Sequence, residues 1–364
     1  MKYDYIVVGA GCAGCTIAER LASESQKHVL LVEKRKHIGG NAYDFVNDDG
    51  LYVQQYGPHI FHTNNALVWE YLSKFTTWNS YEHRVLAQVD GQLVPFPINK
   101  RTLELILGKD MTDADAQNFF DGVKVDIEVK NSRDVIVSQV GERLYNLFFK
   151  NYTKKQWGVY PEELSAEVTR RIPVRTNDED RYFTDSYQGI PTEGFSVMFS
   201  KMITHPLIEI LTDTDFKALN ISLHETPIIY TGPIDEFFNY KFGHLPYRSL
   251  QFEFQTLNKP QYQEVGVINY PNDFDYTRIT EFKHFYLQKH AKTTICFEFP
   301  QADGDPYYPI PRHENAVVYE QYARAASELN NVHFIGRLAE YRYLNMDQAI
   351  MNALKLFGEL SHGS

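Results

Sequence analysis

Near its amino terminus the chain carries Gly9-Ala10-Gly11-Cys12-Ala13-Gly14, a G-x-G-x-x-G turn, followed by an acid, Glu33. An acid about 20 residues beyond such a turn is placed to accept the ribose hydroxyls of a dinucleotide. Gly9 permits the tight turn, Gly11 lets backbone approach a pyrophosphate, and Gly14 lets the following helix pack on the strand. That helix would offer N–H groups and the positive end of its dipole to the phosphates. The turn alone is a weak pattern; its weight comes from the strand before it, the helix after it and Glu33. Cys12-Ala13-Gly14-Cys15 also fits C-x-x-C. Both cysteines fall inside the turn and no second pair completes a zinc site, so they read as small packing residues and no metal is expected. No Ser/His/Asp or Cys/His nucleophile signature, H-E-x-x-H or phosphate-loop lysine stands out elsewhere.

A formal net charge of -11 gives no global basic footprint for nucleic acid. An anionic ligand therefore needs cations concentrated locally. The 25 Tyr, 24 Phe and 3 Trp suit a site that stacks on flat rings and donates phenol hydroxyls. Three cysteines make no disulfide framework and point to a reducing compartment. The chain opens directly on a strand and holds no apolar run approaching the roughly 20 residues that span a bilayer, so a cytoplasmic location is expected.

The elements that must position these residues are legible in part. Tyr5-Ile6-Val7-Val8 and Val29-Leu30-Leu31-Val32 are continuous apolar runs of the kind buried parallel strands show, with Ile17, Ala18 and Leu21 at helical spacing between them. From about 65 to 126 the pattern reads as largely helical, interrupted by Val85-Leu86-Ala87-Gln88-Val89 and by Pro95 and Pro97. Ser132 is placed to cap a longer helix whose Ile136, Val140, Leu144 and Phe148 form one apolar stripe. Between Trp157 and Phe183 the sequence turns charged and loop-like, as a surface connection or a mobile lid does. Leu250, Phe252 and Phe254 alternate with polar residues, and strands are expected at Val265-Gly266-Val267-Ile268 and Thr293-Thr294-Ile295-Cys296-Phe297. After a helix near 314–329, Val332-His333-Phe334-Ile335 ends in Gly336-Arg337. This last run is expected to share a sheet with the first two, which makes the dinucleotide domain discontinuous in sequence.

Glu33-Lys34-Arg35-Lys36-His37-Ile38-Gly39-Gly40-Asn41 resembles the second glycine signature of FAD-dependent amine oxidases and their relatives, which favours FAD over a nicotinamide. Further blocks are Tyr56-Gly57-Pro58-His59-Ile60-Phe61-His62-Thr63, Phe149-Lys150-Asn151-Tyr152-Thr153-Lys154-Lys155-Gln156-Trp157-Gly158 and Arg170-Arg171-Ile172-Pro173-Val174-Arg175. Tyr276-Thr277-Arg278-Ile279-Thr280-Glu281, Tyr307-Tyr308-Pro309-Ile310 and the run from Gly336 through Asn345, Met346 and Asp347 follow. In this order the blocks resemble the bacterial UDP-galactopyranose mutase family nearly end to end. The resemblance implies a mixed α/β fold: an FAD-binding Rossmann-like domain (1–78, about 190–240 and 311–364), an inserted small helical domain (79–189) with a mobile substrate lid at about 158–183, and an antiparallel β-sheet domain (241–310). It also implies a homodimer, and an isomerase that interconverts UDP-galactopyranose and UDP-galactofuranose. Reduced flavin N5 would attack the anomeric carbon and displace UDP; the sugar–flavin adduct would open through an iminium, reclose through the C4 hydroxyl and take UDP back, with no net redox change. NAD(P)H or a reductase would reduce the flavin.

Residue roles follow from the same resemblance, position by position. Arg171, on the lid, and Arg278 would clamp the diphosphate, with Tyr182, Tyr308 and Tyr343 donating phenol hydrogen bonds. Phe148, Tyr152 and Trp157 would give uracil a flat surface, Thr153 would hydrogen-bond nearby, and Phe183 and Asn269 align on the substrate side. His59 and His62 align beside the flavin. The cofactor would lie against Gly9, Gly11, Cys12, Ala13, Gly14, Glu33, Lys34, Gly40, Asn41, Tyr56, Gly57 and Pro58. Its ring would meet Gly336, Arg337, Leu344, Asn345 and Met346, where a new helix begins. On residue type alone, Arg171 reads as a solvated charge beside Arg170 and Arg175, Arg278 as an ion pair with Glu281, and Phe148 as packing. Two positions depart from the family pattern: His83 stands where asparagine is usual near the sugar, and Asn345 where aspartate is common. Both leave other nucleotide sugars open, UDP-N-acetylgalactosamine or dTDP-fucose. A flavin amine-oxidase-like oxidoreductase is the further alternative; it needs no diphosphate arginines, and the Gln156-Trp157-Gly158 and Tyr276-Thr277-Arg278 blocks speak against it.

Overall fold

The two amino-terminal apolar runs form neighbouring parallel strands, Tyr5–Val8 and Val29–Val32, with Val7 beside Leu31. The computed structural model describes residues 3–170, 172–219 and 225–362. Among the described residues a five-stranded parallel sheet runs in the order Val332–Phe334, Ile228–Tyr230, Tyr5–Val8, Val29–Val32, Ile208–Leu211. Every residue of Val29–Val32 is buried, which is why its sequence is continuously apolar. Val332–Phe334 enters this sheet from the far end of the chain, as its apolar run leads one to expect. Ile228–Tyr230, unrecognised in the sequence, fills the place between it and the first strand. Helix Cys12–Ser23 crosses between the first two strands and packs on helices Phe195–Ile203 and Met346–His362.

The second sheet has seven strands, in the order Tyr308–Pro309, Tyr247–Leu257, Thr293–Gln301, Arg278–Glu281, Val267–Asn269, Val85–Val89, Gln92–Phe96. All neighbours are antiparallel except Val267–Asn269 and Val85–Val89. The interruption expected in the helical stretch at Val85 is thus a hairpin that extends the sheet. Asp90 and Gly91 both take positive φ, 49° and 77°, and make the two-residue turn whose twist matches the strands. Pro95 is tolerated because Gln92–Phe96 is the edge strand.

Helix Ser132–Leu144 starts as expected, but its cap is Asn131, whose side chain accepts from the Asp134 N–H; Ser132 instead donates to Thr169 across 2.9 Å. Asn131 holds the extended backbone a cap requires, and Ser132 is already helical. Gly141 breaks the helix at φ 76°, and Tyr145–Lys150 continues as a π-turn. The wider turn changes the period, so both Phe148 and Phe149 are buried. The segment 158–183 is mostly irregular, with a 3₁₀ turn at Pro161–Glu163 and a short helix at Glu167–Arg170. No helix among the described residues is long and apolar enough to cross a membrane.

Asp44 ties the parts together. Its carboxylate accepts from the Phe195 and Ser196 N–H groups at 2.7 and 2.8 Å, capping a helix whose own cap position is glycine. It also accepts from the Tyr286 hydroxyl at 2.6 Å, on the segment beside the second sheet. Charged acceptors of this kind contribute about 1.5–3 kcal/mol per bond. Asp44→Ala is expected to lower the unfolding free energy by about 3 kcal/mol in urea titrations; a loss below about 1 kcal/mol would show that water replaces these bonds at little cost.

Candidate active site

One cavity, of about 380 Å³, is lined by residues just past the ends of the parallel strands: Gly9, Glu33, Thr231 and Gly336. This is where open parallel sheets take their ligands. Gly11 caps helix Cys12–Ser23 without any side-chain bond, so the first N–H groups of a twelve-residue helix stay available to an anion. A Cβ on Gly14 would lie 1.8 Å from the Gly9 carbonyl oxygen, and one on Gly40 would lie 2.9 Å from the Gly11 Cα. The two glycine turns therefore touch, joined by a 2.7 Å bond from the Gly39 N–H to the Ala10 carbonyl. Glu33 is buried, its two oxygens accepting from the Ala10 and Arg35 N–H groups at 2.7 and 2.8 Å. A carboxylate has roughly four acceptor positions, so it keeps capacity for hydroxyls. Lys34 rims the groove, paired with Glu236 and Asp215.

A second cavity, of about 580 Å³, opens beside the first. Helix Asn151–Trp157 turns Tyr152, Thr153, Gln156 and Trp157 into it. Two cations, buried Arg248 and half-buried Lys155, fix that helix. Arg248 donates to the carbonyls of Gln156 and Lys155 at its carboxyl end, while the Lys155 ammonium donates to the carbonyls of Tyr270, Phe274 and Tyr276. Phe148 and Phe149 continue the wall. Opposite stand Tyr182 and Phe183, with the Tyr182 N–H donating 2.6 Å to the His83 carbonyl. Tyr308 and Tyr343 stack at 5.9 Å, and the Arg337 guanidinium lies 4.9 Å from the Tyr343 ring. His59, Arg337, Asn345 and Met346 line both cavities, so a ligand filling the groove ends at the floor of the cleft.

Charge in the cleft is set by burial. Arg278 faces Glu298 across adjacent strands at 2.6 Å, not the Glu281 that its sequence neighbourhood suggests. Glu281 is occupied by the Tyr262 and Gln263 N–H groups and the Thr293 hydroxyl. Arg278 Nε and Glu298 Oε2 have no hydrogen-bond partner among the described residues. Burial, then Arg337 and Arg278, pushes His59 down to about 4 against the pull of its Gly57 carbonyl partner. Burial, then Arg278 and His62, pushes His83 down to about 3. Burial and Glu298 lift the Tyr308 phenol to about 12. Two neutral imidazoles and a protonated phenol thus surround one strongly held cation.

Most residues singled out in the sequence fall into these two spaces. Arg278, His62, His83, Asn269 and the aromatic set line the cleft, with Tyr56 and Pro58 at its inner end. Cys12, Ala13, Lys34, Asn41 and Leu344 line the groove. Gly14 and Gly57 lie behind the walls; a Cβ on Gly57 would meet Glu298 Oε2 at 2.8 Å. Arg171 lies outside the described residues. Thr231, Arg35, Glu298 and Asp185 were not singled out. The apolar run Ile228-Ile229-Tyr230 ahead of Thr231-Gly232-Pro233 could have revealed the first; nothing local marks Glu298 or Asp185.

A family profile described as UDP-galactopyranose mutase matches residues 147–343, and one described as an NAD(P)-binding Rossmann-like domain matches residues 7–75. The chain is 37% identical to a probable UDP-galactopyranose mutase of Klebsiella pneumoniae, over 98% of this chain and 94% of that one. The chain belongs to the UDP-galactopyranose mutase family. It is also 36% identical to the dTDP-fucopyranose mutase of Escherichia coli, covering 96% of both chains. The crystal structure of a reduced UDP-galactopyranose mutase superposes with a TM-score of 0.80 at 16% identity, covering 100% of this chain and 96% of that one, which shows a shared fold.

FAD is the cofactor of this family, and the groove fits it. The touching glycine turns leave backbone, not side chains, against a pyrophosphate, and Glu33 keeps acceptor capacity for ribose. Gly14→Ala would push a methyl group into backbone 1.8 Å away. It is expected to purify with little bound FAD, read from the visible absorbance, whereas Gly358→Ala, with open space around it, should keep the parent's FAD content. Equal FAD content in both variants would reject the close-packing account of Gly14.

The histidines make a pH prediction. Unfolded, His83 titrates near its ordinary value of 6.5; folded, near 3. Between these values the unfolded chain takes up a proton that the folded one does not, so stability falls as the pH drops through this window. His83→Asn is expected to show a smaller drop in urea midpoint between pH 7 and pH 5 than the parent; identical drops would mean His83 is not held neutral.

Proposed function

We propose that this enzyme interconverts UDP-galactopyranose and UDP-galactofuranose with reduced FAD, and that the residues of the cleft carry the roles their family positions imply. The observation that carries the reading is the junction: His59, Arg337, Asn345 and Met346 belong to both cavities, so cofactor and substrate meet there. When bound and reduced, FAD supplies an electron-rich N5 as the nucleophile toward the anomeric carbon. Arg278, oriented by Glu298, holds the diphosphate as it leaves and returns. Tyr308 stays protonated, its phenol lifted to about 12, and donates a hydrogen bond to the same oxygens. Trp157 and Phe148, both buried in the wall, offer flat surfaces to the uracil, and Thr153 lies beside them. His59 is neutral and donates or accepts without adding charge near the cofactor.

Arg171 completes the clamp in this reading, on a lid at about 158–183. The protein works in the cytoplasm as a homodimer, with NAD(P)H or a reductase as electron source. The 37% and 36% identities to the two mutases do not separate galactose from fucose. Arg278 of the Tyr276-Thr277-Arg278 block and Gln156 and Trp157 of the Gln156-Trp157-Gly158 block line the cleft, which favours a diphosphate substrate over an amine.

The test is turnover of UDP-galactofuranose by the dithionite-reduced protein, with products separated by chromatography. UDP-galactopyranose is expected only under reducing conditions. Arg278→Ala should lower turnover roughly 100-fold or more while keeping the FAD spectrum. Turnover of dTDP-fucofuranose with none of UDP-galactofuranose would move the reading to the other sugar, and equal rates for oxidised and reduced protein would reject it.

A further inference from the structure

We infer that Asp185 is the positioning residue that fixes the His62 ring so that Nε2 offers a lone pair to the sugar end of the cleft. The inference rests on the mutase reading above.

His62 lies mid-strand in Phe61–Thr63, opposite Gln188 of the antiparallel strand Tyr187–Gly189. Asp185 precedes that partner strand and follows the end of the segment 158–183. Its Oδ2 stands 2.9 Å from His62 Nδ1. A carboxylate can only accept, so Nδ1 carries the proton and donates. Asp185 Oδ1 accepts from Asn64 Nδ2 at 2.6 Å, and Asn64 Oδ1 accepts from the Ser186 N–H at 2.8 Å. The carboxylate is thus held by a closed set of bonds spanning both strands. The Phe183 ring stacks on the imidazole at 3.6 Å and 12°, which prevents it from tilting. Among the described residues the His62 ring makes no other hydrogen bond, and both His62 and Asp185 line the cleft.

With Nδ1 committed to Asp185, the nitrogen left to accept from a ligand is Nε2, in the ring's neutral form. His83, the other cleft histidine near it, is arranged differently: its Nδ1 lies 3.0 Å from the Tyr81 hydroxyl, which can donate or accept, so no carboxylate dictates its tautomer. Burial keeps His83 neutral, so Asp185 is the charged partner that His62 has at contact distance.

An acceptor at this position serves the ring change. In the closing direction the sugar hydroxyl O–H bond breaks and its proton passes to Nε2. The freed oxygen pair forms the new bond to the anomeric carbon, whose double bond to its other partner becomes single. Opening reverses the transfer, and nothing is oxidised or reduced. The imidazolium formed in between is stabilised by Asp185, as a buried carboxylate stabilises the histidine of a hydrolytic triad.

Asp185→Asn keeps the shape and removes the anionic acceptor. In the FAD-loaded, dithionite-reduced protein with UDP-galactofuranose, kcat is expected to fall roughly tenfold or more, with KM changed by less than about twofold. Asp185→Glu should recover part of the loss. In a His62→Ala background the same Asp185→Asn change should lower kcat no further, because the two act as one unit. Histidine ¹H–¹⁵N spectra should show the His62 proton on Nδ1 in the parent and lose that signal in Asp185→Asn. Parent-like kcat in Asp185→Asn, or its full loss repeated on top of His62→Ala, would overturn the proposal. Should the parent turn over no nucleotide sugar at all, the mutase reading fails, and the nitrogen spectra alone then decide whether Asp185 fixes the tautomer.

Discussion

The buried pair of Arg278 and Glu298 is the interaction on which the rest of the cleft depends. The two residues sit directly opposite each other on adjacent antiparallel strands. A register slip of one residue would turn a side chain to the other face of the sheet and leave a charge unpaired in the interior. Breaking such a pair costs roughly 3–5 kcal/mol, so strand register and cleft electrostatics are one constraint. The charge then acts on its surroundings. It adds to burial in keeping His59 and His83 neutral, and it tempers the rise that burial imposes on the Tyr152 and Tyr308 phenols. Rings around the cation therefore act as hydrogen-bonding groups, without charges of their own to compete for a diphosphate.

What the sequence discloses and what it withholds follows from the range of the contacts. The dinucleotide turn is a local device, in which a strand, three glycines and a helix start lie in contiguous residues, and it is legible for that reason. The strand at Val332 is legible from its apolar run, while Ile228–Tyr230, three residues long, and the edge strand Ile208–Leu211, which buries none of its residues fully, escape notice. The hairpin at Asp90-Gly91 was available in the sequence, because a two-residue Asp-Gly loop between alternating runs is the strongest local hairpin signal. It was hidden by helical stretches on either side. The cap of Ser132–Leu144 fell one residue from its expected place because Asn131 and Ser132 are both capping residues and only backbone conformation separates them. Glu298 and Asp185 are another matter. Each gains meaning from a partner 20 and 123 positions away, through strand pairing that no local pattern encodes. The family resemblance points to residues that line the cleft, whereas the residues that orient them meet it only through contacts far apart in sequence.

Position in the cleft is enforced from outside it. Helix Asn151–Trp157 is only seven residues long, too short to hold itself in water. Arg248, from the long strand Tyr247–Leu257, satisfies its terminal carbonyls, and Lys155 spends its ammonium on three carbonyls of the loop at 270–276. Burial pushes that lysine down to about 8, yet its donors are already occupied. The aromatic wall is thereby fastened to the same sheet that carries Arg278, so ring surfaces and cation keep a fixed spacing.

The same physics bears on where the reacting electron pair originates. Burial pushes the Cys12 thiol up to about 11, and raises Cys15 and Cys296 well above the usual thiol range, so none supplies a thiolate near neutral pH. The Tyr152 and Tyr308 phenols are raised, the ammonium of Lys155 is committed, and Glu298 is bound to Arg278. None of these groups is thus prepared to attack carbon, and the lone pair of His62 Nε2 is placed, in the inference above, to move a proton. Such a site suits the role proposed above, holding a leaving diphosphate, and depends on its neighbour for a nucleophile. The neighbour is the groove, whose contents reach the cleft only past His59, Arg337, Asn345 and Met346. In the reading proposed above, the division between the two sheets is a division of labour: residues after the parallel strands would hold the cofactor, and Arg278 on the antiparallel sheet would hold the charge that the reaction releases.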